Sequence, residues 1–557
     1  MASESTEHPP PPRTEEEEEA RIISAAARSL PRDAVRELLS VGVCVRCIFR
    51  LFGVRGPIYS CSSLSTSVLC SVFEDDSGTE RIGSPINGVV HSPCVIQDPH
   101  KDQLFCGVCL GILQFAYDQE QAISSCKKES HMNGFTASIA ELVKREGHQI
   151  DGFSLEISIP PVILANERAI RLYMKRKYES ETWFHEKLVN EHISVKDALK
   201  LSIIHSLENH LAIKCGVESF RIRLTYSHSK ASLKLQNFSA KDSACKKRKT
   251  EYNGPGANGS HMSTGNGGSE PSFSESDAAI CRTLQGLEDQ VFAELFPMPP
   301  EKVSEPCHLN CNCCRMPIYI CGRYMKYSRK VSQTCWMVDG ERIGEASVEE
   351  IIGSNVLPVC KGDSYKFHAA GREDIDVRML GSGRPFLVEV LNARISPSLS
   401  DIQAIADKIN NSENHYVEVK NLKIVDSQVW TLMREGEAEK QKQYAALVWI
   451  SRPLEETDLQ KISSIKELDI LQNTPIRVLH RRSPMERKRM IHWMETERIT
   501  GSCQYFLLHL CTQAGTYIKE FVHGDLGRTQ PNIGTILGCR AEIVQLDVTD
   551  VKMDSFD

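Results

Sequence analysis

No apolar run in this chain approaches the roughly 20 residues that a membrane-spanning helix requires, so insertion into a bilayer is not expected. The opening Met1-Ala2-Ser3-Glu4 lacks the apolar region of a secretory signal, and the acidic stretch that follows does not suit an organelle transit peptide. Positive charge is also short: 66 lysines and arginines against 73 aspartates and glutamates give a net charge of −7 at pH 7. No global basic field advertises a nucleic-acid partner, so any such partner has to be met by local patches. There is no Walker-type phosphate loop, and Gly381-Ser382-Gly383 lacks the third glycine of a dinucleotide-binding turn. His185-Glu186 opens like a zinc-protease motif, yet Val189 stands where the second histidine is required. No repeat of fixed period is present.

At 557 residues the chain is too long for one hydrophobic core and is expected to form two to four domains. Its 21 cysteines would mark a disulfide framework in a short secreted chain, but in a long chain without a signal region they point to a reduced, intracellular setting. Cys44-Val45-Arg46-Cys47 and Cys106-Gly107-Val108-Cys109 form two knuckles about sixty residues apart. Each knuckle can present two thiolates to one tetrahedral ion, so one structural zinc on Cys44, Cys47, Cys106 and Cys109 is expected. Catalytic zinc of the deaminase kind needs a His-x-Glu pair and a proline before the knuckle, and neither knuckle follows a proline. Cys307, Cys311, Cys313 and Cys314 also cluster, but the irregular spacing reads as reduced thiols.

Four regions follow from composition. Residues 1–38, with Pro9 to Pro12 and the acidic run Glu15 to Glu19, are expected to be a disordered tail. Residues 39–239 mix alternating strands, Phe153 to Ile159 and Phe220 to Tyr226, with a helix from Ser194 to Ile213, and predict an α/β domain. Residues 240–290, which carry Lys246-Lys247-Arg248-Lys249 and a Gly/Ser/Asn-rich stretch, predict a flexible linker. The basic cluster is either a nuclear localisation signal or solvated charge. Residues 291–557 are richer in strands, at Pro317–Cys321, Pro385–Leu391, Val417–Val425, Tyr444–Ile450, Ile476–His480, Met490–Glu495 and Tyr505–Thr512, with helices at Leu399–Asn410 and Tyr517–Asp525. The fold class expected for the whole is α+β.

The polar run Gly371-Arg372-Glu373-Asp374-Ile375-Asp376-Val377-Arg378 stands between apolar segments. In an extended chain Arg372, Asp374, Asp376 and Arg378 would share one face, holding two carboxylates ionised between two guanidiniums. Charge pattern alone leaves two readings open, an active-site loop or a surface salt-bridge ladder, and does not choose between Asp374 and Asp376. Two strongly basic stretches supply the local patches that the net charge does not. Tyr173 to Tyr178 runs on to Trp183-Phe184, mixing phosphate-pairing charge with stacking rings, and Arg477, His480, Arg481, Arg482, Arg487, Lys488 and Arg489 concentrate charge in the second half. RNA contact is the functional reading of both.

Gly371-Arg372-Glu373-Asp374 resembles the Arg-x-Asp signature of pseudouridine synthases. Further support comes from Gly322 to Arg329, Asp339-Gly340-Glu341-Arg342, Val478 to Arg482, and Thr512 to Asp525 with its Gly515-Thr516-Tyr517-Ile518-Lys519. The nearest resemblance is to the archaeal and eukaryotic enzymes that make pseudouridine in the tRNA T-arm and carry an N-terminal THUMP-containing domain. It spans about Ile318 to the C-terminus; in the N-terminal half it rests on the two knuckles and the order of strand and helix. Cys335 departs from the pattern, where relatives are expected to have proline.

The resemblance implies a mixed α/β THUMP-like domain with structural zinc, followed by a synthase fold on a mainly antiparallel sheet. It makes Asp374 the nucleophile, Tyr444 the ring that stacks on the uracil and moves a proton, and Lys519 the counter-ion of Asp374. Arg372, with Ile518 and Leu546 as apolar walls, would bind the target base, and Arg481, Arg482, Arg487, Lys488 and Arg489 would form a loop gripping RNA. The implied reaction converts uridine 54, 55 or both to pseudouridine in the T-loop, by flipping the base out. The reaction itself needs no cofactor, the one expected zinc being structural. Expected partners are tRNA at the T-arm and acceptor stem, with other structured RNA open; the chain itself is expected to be a monomer in nucleus and cytoplasm. A zinc-bearing RNA-binding adaptor, active in small-RNA processing without catalysis, is the rival; a degenerate synthase of that kind should have lost at least one of Asp374, Tyr444 and Lys519.

Overall fold

A computed structural model describes residues 14–75, 104–116, 132–231, 275–437, 441–480 and 482–552. Two compact units divide the chain, Met1–Cys314 and Arg315–Asp557.

In the first unit the parallel strands Gly152–Ser158 and Phe220–Ser227 lie side by side, with Lys214–Cys215 on one flank and His308–Arg315 on the other. Alternation places Phe220, Ile222, Leu224 and Tyr226 on the buried face, where helices Met132–Glu146, Val162–Tyr178 and Val195–Leu211 share their core. Ser194 caps the last of these helices, its side chain accepting from the backbone N–H of Asp197.

Two expectations about boundaries are corrected. From Thr14 onward the expected tail is helical: Thr14 and Glu17 form a capping box for helix Glu15–Arg28, which buries Ile23 and Ala27, and Arg32–Ser40 buries Ala34, Val35 and Leu38. The Glu-rich run is therefore a helix N-terminus, where acidic charge suits the dipole. At the other end, part of the expected linker folds as helix Glu275–Gly286, and helix Asp289–Leu295, which begins within it, seals Phe292 into the core of the first unit. The boundary thus falls after Cys314 and not near residue 290, and the cysteine cluster lies on the strand His308–Arg315 and the residue just before it, with Cys307 and Cys313 buried. The basic cluster Lys246–Lys249 lies outside the described residues.

The second unit is built on a ten-stranded sheet. Nine strands run in the order Val417–Val425, Ile318–Lys326, Arg378–Leu391, Ala541–Val551, Lys442–Ile450, Tyr505–Thr512, Glu486–Arg498, Lys466–Asn473, Thr529–Gln530. Ser364–Ala369 also pairs with Arg378–Leu391. Every pairing is antiparallel except that between Arg378–Leu391 and Ala541–Val551, where Arg378 faces Asp547 and Met379 faces Val548. That parallel step brings the loop preceding Arg378 beside the middle of the sheet. Helix Leu399–Asn410 packs Ile402, Ile405 and Ile409 into the sheet's core and is capped by the Ser398/Asp401 box.

The expected strand Ile476–His480 is a 3₁₀ turn, Ile476–Val478. Pro475 fixes its own φ and offers no N–H to a ladder, and the N–H of Val478 turns back to the carbonyl of Pro475 at 3.0 Å.

Candidate active site and metal centre

The polar run does not extend. The N–H of Val377 donates to the carbonyl of Asp374 at 3.1 Å, closing a turn, and strand geometry begins only at Arg378. The even alternation of Arg372, Asp374, Asp376 and Arg378 along one face is therefore lost. Arg378 turns to Asp547, with contacts of 3.0 and 2.6 Å, and Arg372 is exposed on the rim with no ion pair among the described residues.

Four buried side chains, Lys326, Arg384, Tyr324 and Gln333, hold this turn. Lys326, fully buried, donates to the carbonyls of Val331 at 2.8 Å, Asp374 at 3.3 Å and Ile375 at 2.8 Å. Burial pushes its ammonium down to about 8, against the opposing pull of Glu373 and Asp376. Beside it Arg384 Nε donates to Glu373 at 2.8 Å, the hydroxyl of Tyr324 donates to the same carboxylate at 2.8 and 3.0 Å, and Gln333 Nε2 ties Tyr324 to the carbonyl of Gly371. Gly371, at φ +96°, is required: a Cβ there would lie 2.6 Å from Arg384 Nη1 and from Lys442 Nζ.

Above this base opens a cleft of about 470 Å³. Asp374 stands in it with Oδ2 2.8 Å from Arg477 Nη1 and 3.3 Å from Lys519 Nζ. Lys519 also contacts both oxygens of Asp376, at 2.9 and 2.8 Å. Burial raises the carboxyl of Asp376, but hydrogen bonds and charge from Lys519 outweigh this and hold it below its ordinary value. Tyr444 reaches the cleft from the neighbouring strand, where it pairs with Val548 across a bulge. Burial pushes its phenol up to about 12, with Arg384 opposing, so it stays protonated near neutrality. Val377, Ile518, Leu546 and Val548 supply an apolar wall.

The structure thus brings together Asp374, Tyr444, Lys519, Ile518 and Leu546, with Arg372 at the rim. Of the basic segment, Arg482, Arg487 and Arg489 line the cleft. Lys488 does not: successive residues of strand Glu486–Arg498 face opposite sides, and Lys488 pairs at 2.8 Å with Asp469 on the adjoining strand. Arg481 lies outside the described residues. Sequence reasoning missed Lys326, Glu373, Arg384 and Glu520, and placed Arg477 among RNA contacts. A buried charge leaves no periodic signal, and Arg477 was hidden by the basic residues that follow it.

The first basic stretch is largely occupied within its own unit. Lys177 pairs with Glu37 at 2.6 Å, Lys175 with Glu179 at 3.6 Å, and Trp183 packs against Phe52 and Tyr178 with ring centres 5.6 and 5.3 Å apart.

In the same unit the sulfurs of Cys44, Cys47, Cys106 and Cys109 all lie within 4.8 Å of one another, and Cys44 and Cys109 are 3.8 Å apart. A tetrahedral zinc with Zn–S near 2.3 Å places its sulfurs about 3.8 Å apart, so the four thiols fit such an ion. The buried Arg50 braces the cluster, its Nε donating to Cys47 Sγ at 3.3 Å while Nη1 pairs with Glu167 at 2.7 Å.

Two family models match the chain, "Pus10, C-terminal" over residues 319–552 and "Eukaryotic Pus10, N-terminal" over residues 106–314. The human protein named tRNA pseudouridine synthase Pus10 is 36% identical over 453 residues, which cover 81% of this chain and 78% of that protein. The protein of the same name from Xenopus laevis is 32% identical over 550 residues, covering 94% of this chain and 97% of the relative. The archaeal protein of that name from Thermofilum pendens is 38% identical over 238 residues, 42% of this chain and 53% of its own length.

Proposed function

The chain belongs to the Pus10 family of tRNA pseudouridine synthases, and we propose that its Asp374 cleft carries out that isomerisation on a uridine of the T-loop, at position 54, 55 or both. The enzyme is an isomerase acting on tRNA, and the adaptor reading is not favoured. The observation that carries the site assignment is the convergence of Asp374, Tyr444 and Lys519, far apart in sequence, on one cleft with an apolar wall.

The reaction requires the bond from N1 to C1′ to break, the uracil to turn, and C5 to join C1′. The C5 proton leaves and N1 ends protonated, so no oxidant or reductant is consumed. Asp374 either attacks C1′ or removes a ribose proton, and both routes need a carboxylate in a site that limits water. The protonated phenol of Tyr444 can hold or pass the migrating proton while its ring stacks on the base. Ile518 and Leu546 form the wall against which the flipped base rests.

Arg482, Arg487 and Arg489 are proposed as phosphate contacts at the cleft mouth, with the first unit meeting the acceptor stem. Zinc is the ion proposed for the four thiols, with a structural role; metal analysis should return one zinc per chain, and none in a Cys44→Ser/Cys106→Ser variant. Mapping pseudouridine in unmodified tRNA transcripts treated with the protein tests the target: product at 54 or 55 is expected, and product only elsewhere would overturn the T-loop assignment. We place the protein in both nucleus and cytoplasm, which imaging of a tagged chain tests.

A further inference from the structure

The two cations that approach Asp374 are not equivalent. Lys519 is shared, and its shorter contacts, 2.9 and 2.8 Å, go to Asp376, against 3.3 Å to Asp374. Arg477 reaches Asp374 Oδ2 at 2.8 Å while its Nε donates to Glu520 Oε1 at 2.7 Å. Glu520 is 1% exposed, and its second oxygen has no hydrogen-bond partner among the described residues. Removing Arg477 would strand this buried carboxylate, which is costly in low dielectric, so Glu520 keeps the guanidinium in place. Because the guanidinium is a rigid plane, fixing Nε also fixes where Nη1 points.

The elements that carry the pair are themselves braced. Arg477 sits on the 3₁₀ turn that follows Pro475. Glu520 belongs to helix Ile518–His523, whose entry residue Tyr517 is clamped by the buried Gln472, accepting at 3.0 Å and donating at 2.9 Å. Both cations come nearest to Oδ2 of Asp374, so Oδ1, which accepts no hydrogen bond among the described residues, is the oxygen left to react.

We propose that Arg477, oriented by the buried Glu520, is the positioning residue that aims the nucleophile Asp374, and is not one of the RNA-gripping arginines of the segment it opens. Lys519 then serves mainly to hold Asp376 and the turn. This rests on Asp374 being the nucleophile of the synthase reaction.

The test uses the full chain and a tRNA transcript carrying 5-tritiated uridine, since tritium leaves C5 when the bond from C5 to C1′ forms. Arg477→Gln is expected to lower kcat on the order of 10²-fold, the scale of a lost preorganised charge contact, with KM and filter-binding Kd for tRNA within about 3-fold. Arg477→Lys should recover part of kcat, because a cation returns without the fork. Glu520→Gln should lower kcat by an intermediate factor without changing tRNA affinity. Because Glu520 is buried, the Arg477 variants, at a half-exposed position, carry the decision. A raised KM or Kd with kcat intact, or a salt slope of binding that falls by about one in Arg477→Gln, would make Arg477 a phosphate contact and overturn the inference. An inactive wild type, or an active Asp374→Asn, would instead overturn the synthase assignment of this cleft.

Discussion

Substituting Glu373 by glutamine should destabilise the second unit far more than a surface change would, because Glu373 neutralises a charge that cannot reach water. The side chains of Arg384 and Glu373 are 2% and 1% exposed and meet at 2.8 Å. Burial alone would lower the Arg384 guanidinium, but the charge of Glu373 reverses this and raises it. Gly371 shows how close a second cation lies, since the position of its missing Cβ is 2.6 Å from both Arg384 Nη1 and Lys442 Nζ. Breaking a buried pair from one side costs about 3–5 kcal/mol. For a unit of this size each kcal/mol moves the midpoint by about 2–4 °C, so Glu373→Gln should melt roughly 6–20 °C below wild type. Calorimetry of the full chain resolves such a shift in the affected transition. Replacing both partners, Glu373→Leu with Arg384→Met, should recover much of the loss, since no charge is stranded. A midpoint within about 2 °C of wild type for Glu373→Gln would refute the reasoning.

Two further outcomes follow from the same geometry. Lys326 holds three carbonyls through an ammonium pushed down by burial to about 8, so activity should fall as pH rises through that value and the clamp loses its charge and one donor. Its folded value lies below the ordinary 10.5, so between those values the unfolded chain binds the proton more strongly and this group's contribution to stability rises with pH. The alkaline loss of activity should therefore come without a lower melting temperature, and a melting temperature that falls in step would contradict it. At the cleft mouth, Arg487→Glu with Arg489→Glu should weaken tRNA binding and flatten its salt dependence by roughly 1.5–2 in slope, whereas Lys488→Glu, on the opposite face, should leave the slope near wild type.

How far the site was legible depended on whether its parts carry a local pattern. Strands Val417–Val425 and Tyr505–Thr512 and helix Leu399–Asn410 have the bounds that alternation and the Ser398 cap predict. Strand Ala541–Val551 was missed because its polar and apolar residues do not alternate cleanly around two register shifts. Lys466–Asn473 was missed because it presents mostly charged and polar side chains near the sheet's edge. Within the cleft, Asp374, Tyr444 and Lys519 are linked in the sequence only by resemblance, since nothing in spacing joins residues on a turn, a strand and a distant helix. The partnering was wrong where sequence neighbours were assumed to be spatial ones: Arg378 belongs to Asp547, and the second cation on Asp374 comes from Arg477, 103 positions away. The tail was misjudged because Glu15 to Glu19 read as composition, when Thr14 and Ile23 made it an amphipathic helix with a cap.

The most direct test of the central claim compares wild type with Asp374→Asn on the same unmodified tRNA transcript, scoring pseudouridine by position and tRNA affinity in parallel. Asparagine keeps the size of the side chain while removing the charge held by Arg477 and Lys519. A loss of pseudouridine formation of about 10³-fold or more is expected, with tRNA affinity within about 3-fold. Pseudouridine formed by Asp374→Asn at a rate near wild type would contradict it.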